Sequence, residues 1–365
     1  MLYLDANATE PLRPEARAAL IAALDVTGNP YSVHAAGRAA RRILEDARES
    51  IAACFAVRPA DLVFTSGATE ADALALHALA QGRRLIVGAT EHDAILGPAG
   101  AAARIPVDRA GLADLDALAA LLASGPPALV CLMAANNETG TLQPLARAAE
   151  LCHRHGALLF VDAVQSAGRA RMSLAESGAD AMAISSHKLG GPAGAGALLL
   201  SPALSAIAPQ FPGGGQERGR RGGTPAVAVI AGFAAAVRAS GDASHLAPLR
   251  DALEAAARAR GAVVCGAGAP RLANTTNLAL PGVRADAQVI ALDLAGVCVS
   301  AGAACSSGRV RESHVLAAMG LGALAGQAIR VSLPWNAPAD CAERFAAAYT
   351  SMVAALRPAL ADATG

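Results

Sequence analysis

Short apolar runs alternate with longer alanine-rich stretches through the first two thirds of the chain. The runs are "DLVFTS" at 61–66, "RLIVGA" at 84–89, "ALVCLMA" at 128–134, "ALLFVDA" at 157–163, "AMAIS" at 181–185 and "GALLL" at 196–200. Each has strand length and little polar alternation, the pattern of strands buried on both faces. Strands separated by helical stretches predict an α/β domain around a mostly parallel sheet. Such sheets bind ligands beyond the carboxyl ends of their strands, so the residues that follow each run carry the chemistry. Those residues are Ser66-Gly67-Ala68-Thr69, Thr90-Glu91-His92, Asn136-Asn137-Glu138, Asp162 to Gln165 and His187-Lys188, and almost all of them are polar.

After "FPGGGQERGRRGGTP" the pattern changes. A long helix starts at about Ala226, the short strands "TNLALPG", "VCVSAG" and "AIRVSLP" follow, and a final helix runs through Met352. This mixture predicts a second, smaller α+β domain. The expected division is a large domain over 15–240 and a small domain built from 1–14 plus 241–365.

Composition narrows the function classes. With 30 acidic and 30 basic residues the chain lacks the electrostatic footprint of a nucleic-acid or anionic-membrane binder. The longest uncharged apolar run, Ala226 to Val237, falls well short of a membrane span, and the amino-terminus has no signal-peptide pattern. Seven cysteines with no C-x-x-C pair fit neither a zinc ribbon nor a disulfide scaffold, so the expected compartment is a reducing cytoplasm and no metal site is expected.

Lys188 follows a strand directly and opens onto glycines in "ISSHKLGGPAG". A partly desolvated amine at a strand end has its neutral form within reach and can form a Schiff base. Asp162 precedes it by one strand–helix–strand excursion and can pair with the protonated ring nitrogen of a pyridoxal cofactor. Gln165 and Asn137 can serve its phenolic oxygen, and Ser66 to Thr69, at a strand-to-helix junction, form an anion site suited to a phosphate. His92 can stack on the ring and exchange protons. Each feature alone has an ordinary structural explanation: a solvated lysine, an N-capping aspartate, a capped helix start. Their common placement at strand ends makes the set specific.

These residues lie within motifs that resemble the cysteine desulfurases of the NifS/IscS type, in the class V aminotransferase family: "YLDANATEPLRPE", "GNPYSVHAAGR", "VFTSGATEAD", "TEHDAI", "NNETGTLQP", "FVDAVQSAG", "SSHKLGGPAGAGAL", "GGGQERGRRGGTP" and "SAGAACSSG". The resemblance implies fold type I, the aspartate aminotransferase-like fold of pyridoxal-phosphate-dependent transferases. It makes Lys188 the Schiff-base lysine, Asp162 the ring-nitrogen partner, and Gln165 and Asn137 the phenolic-oxygen ligands. Ala68, Thr69, Ser185 and His187 become phosphate contacts, and His92 the stacking, proton-transferring histidine. Thr224 matches a threonine that reaches the phosphate of a neighbouring subunit, which implies a homodimer. Taken alone, Arg218, Arg220 and Arg221 read as a solvated loop.

Arg330 matches the arginine that pairs with the substrate carboxylate, and Cys305 the nucleophile that becomes a persulfide. The small, polar setting "SAGAACSSGRVRES" supports that role for Cys305, while the other six cysteines read mostly as core residues. The implied reaction takes sulfur from L-cysteine, leaves L-alanine, and supplies iron–sulfur cluster assembly or another sulfur acceptor. A selenocysteine lyase or a small-amino-acid transaminase on the same fold is the nearest alternative; a transaminase has no need of Cys305. A non-catalytic scaffold would not need Lys188, Asp162, His92 and Cys305 together. The chain departs from the family in "SLPWN" after Arg330 and in the glutamate of "DANATEP". Its end at Gly365, without a further segment, carries the expectation of weak docking to a scaffold protein.

Overall fold

The computed structural model describes residues 1–204, 206–302 and 312–357. Strand β1 (Leu2–Tyr3) pairs in parallel with β11 (Val297–Cys298), which carries the amino-terminus into the last third of the chain. A seven-stranded sheet follows from β2 (Leu62–Thr65), β3 (Arg84–Gly88), β4 (Ala103–Ile105), β5 (Ala128–Cys131), β6 (Leu158–Asp162), β7 (Ala181–Ser185) and β8 (Gly196–Leu200). Its order is β2-β8-β7-β6-β5-β3-β4, and only β8 runs against its neighbours. The six apolar runs of the sequence are six of these strands. The seventh, β4, is a three-residue edge strand with an exposed Arg104 at its centre, so it leaves no apolar run.

Side chains along the strands point alternately to two packed layers. Leu159 and Val161 join a layer that includes Leu44, Ile51, Phe233 and Val237 from the helices Ala35–Cys54 and Val227–Ala239. Phe160 faces the other way, toward Leu74 and Leu79 of the helix Ala68–Leu79. Burial on both faces explains the continuous hydrophobicity of these strands.

A four-stranded antiparallel sheet forms a second unit in the order β12-β13-β10-β9, from β9 (Val263–Cys265), β10 (Thr275–Ala279), β12 (Ser300–Ala301) and β13 (Ala328–Ser332). Its core joins Leu2 and Leu4 to residues between Ala243 and Val353, among them Ile329, Phe345 and Tyr349. The helix expected from about Ala226 spans Val227–Ala239, and the last helix spans Cys341–Leu356. Of the six described cysteines, Cys131, Cys152, Cys265 and Cys341 are buried. Cys298 is half-buried, and Cys54 is exposed at a helix end rather than in a core. Among the described residues no single helix is long and apolar enough to cross a membrane.

Candidate active site

The reversed direction of β8 shapes the site. Thr65 of β2 and Ser185 of β7 are both paired with Gly196, so the carboxyl ends of β2 and β7 lie level on either side of it. The connection between β7 and β8 therefore turns back at that edge of the sheet and carries Lys188 over it. A β-carbon at Gly196 would lie 2.6 Å from the carbonyl carbon of Gly67, so only glycine lets the start of the helix Ala68–Leu79 pack against β8. A β-carbon on Gly67 would meet nothing within 4 Å. The helix amino-terminus thus opens into free space, an arrangement suited to an anion. The Ser66 amide and hydroxyl both donate to Glu70, which also takes two hydrogen bonds from Arg221 at 2.7 and 3.2 Å. Burial pushes the Glu70 carboxyl up, but the bonds from Arg221 and Ser66 outweigh it and hold the carboxyl below its usual range.

This region forms the floor of a cavity of about 790 Å³. Among the described residues the Lys188 ammonium donates only to main-chain oxygens, those of Asn7 at 2.5 Å and Ala8 at 2.9 Å. Burial, reinforced by the charges of Arg330 and Arg169, lowers its pKa to about 7, against the pull of Asp5 and Asp162. The neighbouring His187 is lowered to about 4 by burial and by Lys188, so at neutral pH it is an uncharged ring within reach of the Thr9 hydroxyl, 3.2 Å away.

Asp162 ends β6 and accepts from the Val164 amide at 2.9 Å. Burial pushes its carboxyl up, while that hydrogen bond and the charges of His92 and Lys188 pull it down. Behind it lie two more buried acids. Burial drives Asp72 and Glu91 well above their ordinary values, and one oxygen of each has no hydrogen-bond partner among the described residues. At Asp162 burial outweighs the opposing contacts, so its carboxyl too is raised from its ordinary value, with His92 and Lys188 as the charges that favour its ionised form. His92 caps the helix Asp93–Ala99 by accepting the Ala94 amide at Nδ1, which assigns the proton of the neutral ring to Nε2.

The opposite wall comes from distant parts of the chain. Arg330 on β13 donates to Asp5 at 2.7 Å and to the Asn137 main-chain oxygen at 3.2 Å. The Asn7 side chain donates to the same Asn137 oxygen and to Thr275. Gln165 donates to the main-chain oxygen of Asn7 and accepts from Arg169, which also pairs with Glu10 at 2.7 Å. Glu138 accepts from Ser313 at 2.6 Å, and His314 lies 3.0 Å from the main-chain oxygen of Glu91.

Every site residue expected from the sequence within the described chain, except Thr224, lines this one cavity. Thr224 is exposed and does not line it. Cys305 lies outside the described residues. The glycine- and arginine-rich loop is solvated only in part: Gly213 to Gly215 and Arg218 are exposed, as the composition implied, but Arg220 and Arg221 are engaged. Arg220 is buried and donates to the main-chain oxygens of Glu217 and Leu62, and Arg221 holds Glu70. Sequence reasoning missed Asp5, Asn7, Asp72 and His314. Only Asp72 left a local signal, one helical turn beyond Thr69. Among the described residues no cluster of metal-ligating side chains occurs.

The model of the family "Aminotransferase class-V" matches residues 2–345. A cysteine desulfurase of Cereibacter sphaeroides is 42% identical over 359 residues, covering 93% of this chain and 92% of that protein. An IscS-like cysteine desulfurase of Mycobacterium tuberculosis is 38% identical over 359 residues, covering 91% of each. The crystallographic structure of a NifS-like protein from Rickettsia africae superposes with a TM-score of 0.89 at 33% identity, over 96% of this chain and 99% of that one. The chain belongs to the class-V aminotransferase family, and its relatives place it with the cysteine desulfurases of the NifS/IscS type.

Members of this family depend on pyridoxal phosphate. The cavity fits that group on three counts. The helix start at Gly67 is open for a phosphate, the Lys188 amine is near neutrality, and Asp162 is a buried carboxyl in the same cavity.

Proposed function

We propose that the chain is a cysteine desulfurase that takes sulfur from L-cysteine, releases L-alanine and leaves a persulfide on Cys305. The observation that carries this reading is one cavity holding the near-neutral Lys188, the buried Asp162 and, on the far wall, the Arg330 guanidinium. Lys188 would hold pyridoxal phosphate covalently, Asp162 would pair with its ring nitrogen, and Asn137 and Gln165 would serve its phenolic oxygen. Ala68, Thr69, Ser185 and His187 would hold the phosphate. Bound there, the cofactor supplies a sink for the electron pair released at the substrate α-carbon.

The chain's own residues supply the rest. Arg330 binds the substrate carboxylate. Lys188, with a pKa of about 7, is poised to take up and return the α-proton at neutral pH. His92 presents Nε2–H for proton delivery. The Cys305 thiolate attacks the substrate sulfur; the carbon–sulfur bond breaks, its electrons stay with carbon, and a proton at that carbon completes alanine. The sulfur then passes to an acceptor, for iron–sulfur cluster assembly or another thiolation route.

Two further statements belong to this reading. The chain divides into a large cofactor-binding domain, 15–240, and a small domain of 1–14 plus 241–365. It acts in the cytoplasm as a homodimer, in which the exposed Thr224 reaches the phosphate of the other subunit. The six described cysteines, all unpaired, support a reducing compartment.

The test is Cys305→Ala, assayed with L-cysteine and a reductant. The variant is expected to bind cofactor and to show a cysteine-induced spectral change, yet release alanine roughly 10³-fold more slowly and carry no persulfide. Alanine release at the unaltered rate would remove Cys305 from the reaction.

A further inference from the structure

Arg330 is the most constrained cation of the cavity. Its side chain is 6% exposed, one terminal nitrogen is given to Asp5 and the other to the Asn137 main-chain oxygen, and its buried Nε has no partner among the described residues. β13 lies between β12 and β10, with Arg330 paired to Ser300 on one side and Asn277 on the other, so its backbone position is fixed. Asp5 differs in both respects. It sits on the irregular amino-terminal strap, bridged to Ser332, and its side chain is 21% exposed. The aspartate can withdraw into water; the guanidinium cannot.

We propose that Asp5 is an affinity-setting residue of the substrate subsite, an internal carboxylate that holds Arg330 until the substrate α-carboxylate takes its place. The inference rests on the reading of Arg330 as the carboxylate-binding residue and adds the group that must leave. An uncompensated buried guanidinium is costly, so the free protein needs a partner for it, and an exchange of one carboxylate for another keeps it paired throughout. The exchange also preserves the field at Lys188, whose ammonium Asp5 stabilises. Ligands without a carboxylate cannot make it. Asp5 therefore competes with the α-carboxylate, lowering the affinity for α-amino acids while leaving that for amines and amides unchanged, and unoccupied Arg330 is shielded from other anions.

The test uses the full chain loaded with pyridoxal phosphate, with L-alanine and L-alaninamide as probes. Binding is read from the cofactor absorbance and from the thermal shift. With Asp5→Asn, half-saturation by L-alanine is expected at a roughly tenfold lower concentration, because the stranded guanidinium gains a partner only when the ligand arrives. L-Alaninamide is expected to bind Asp5→Asn and the unaltered chain alike. Asp5→Ser carries the same expectation through a smaller side chain if Asp5→Asn does not fold, and Asp5→Glu, which keeps the charge, should stay within about twofold of the unaltered chain. Weaker or unchanged L-alanine binding in the charge-removing variants would overturn the inference while leaving Arg330 as the carboxylate site. Equal binding of L-alanine and L-alaninamide by the unaltered chain would overturn the carboxylate site itself, and the role of Asp5 with it.

Discussion

The floor and the far wall of the cavity are built on different principles. The floor is a sheet edge: Ser185, Lys188, Asp162 and the Gly67 helix start hang from strands whose register fixes them relative to one another. The wall is a convergence of Asp5 and Asn7 from the strap, Arg330 and Thr275 from the small sheet, and Asn137 from the loop after β5. Regular backbone hydrogen bonding holds the first, and side-chain hydrogen bonds between remote segments hold the second. The floor has the rigidity needed to tune Lys188 and Asp162; the wall has the exchangeable contacts needed to admit and release a substrate.

Damage to the two regions should therefore read out differently. Lys188→Ala, on the floor, should abolish covalent cofactor retention and lower alanine release by on the order of 10³-fold or more. Borohydride reduction and peptide mapping of the unaltered chain would locate the label, and a label elsewhere breaks the comparison. Arg330→Gln, on the wall, should raise KM for L-cysteine by roughly 10–100-fold with a smaller change in kcat, the loss of a charge-assisted bond. An effect confined to kcat would mean that the wall, too, does chemistry.

The pH dependence sharpens the picture of the floor. Capture of pyridoxal phosphate by the cofactor-free chain needs the neutral Lys188 amine, so its rate should rise about tenfold per pH unit below pH 7 and level off above it. An ordinary lysine would show a continued rise to far higher pH. The same depression acts on stability. Between about 7 and the ordinary lysine value, the unfolded chain binds a proton that the folded chain does not, so the cofactor-free protein gains stability as pH rises through that window. Gly196→Ala should force β8 and the Gly67 helix start apart, at a cost of about 1–3 kcal/mol, and weaken cofactor retention, measured by dialysis. The smallest effect is expected at Trp335, whose indole donates to Pro11 and stacks on Arg13. Trp335→Phe should lose about 1 kcal/mol in denaturant unfolding and leave the cofactor spectrum unchanged.

The difference between the regions also explains what the sequence disclosed. Strands buried on both faces leave continuous apolar runs, and the residues just past them are a sheet edge by construction, so Lys188, Asp162 and His92 could be placed from pattern alone. Asp5 and Asn7 lie in "YLDANATE", where no periodicity marks them, and their partners Arg330 and Thr275 stand 325 and 268 positions away. Local pattern carries no trace of such contacts. The arginine-rich loop misled in part for a related reason: its composition is that of a solvated turn, and Arg218 is exposed, but Glu217 and Arg220 are buried. The Glu217 carboxylate meets the buried Arg48 at 2.7 Å, a pairing visible only in three dimensions.

The amino-terminal strap has a consequence for how the protein comes into being. Asp5 and Asn7 are synthesised 325 and 268 residues before their respective partners Arg330 and Thr275. The floor can fold as soon as β8 is available, whereas the wall must wait for β13. A growing polypeptide can thus build its strand-end floor before it acquires a place for the substrate, and because the charge of Arg330 also lowers the Lys188 pKa, the lysine is fully tuned only once β13 is in place.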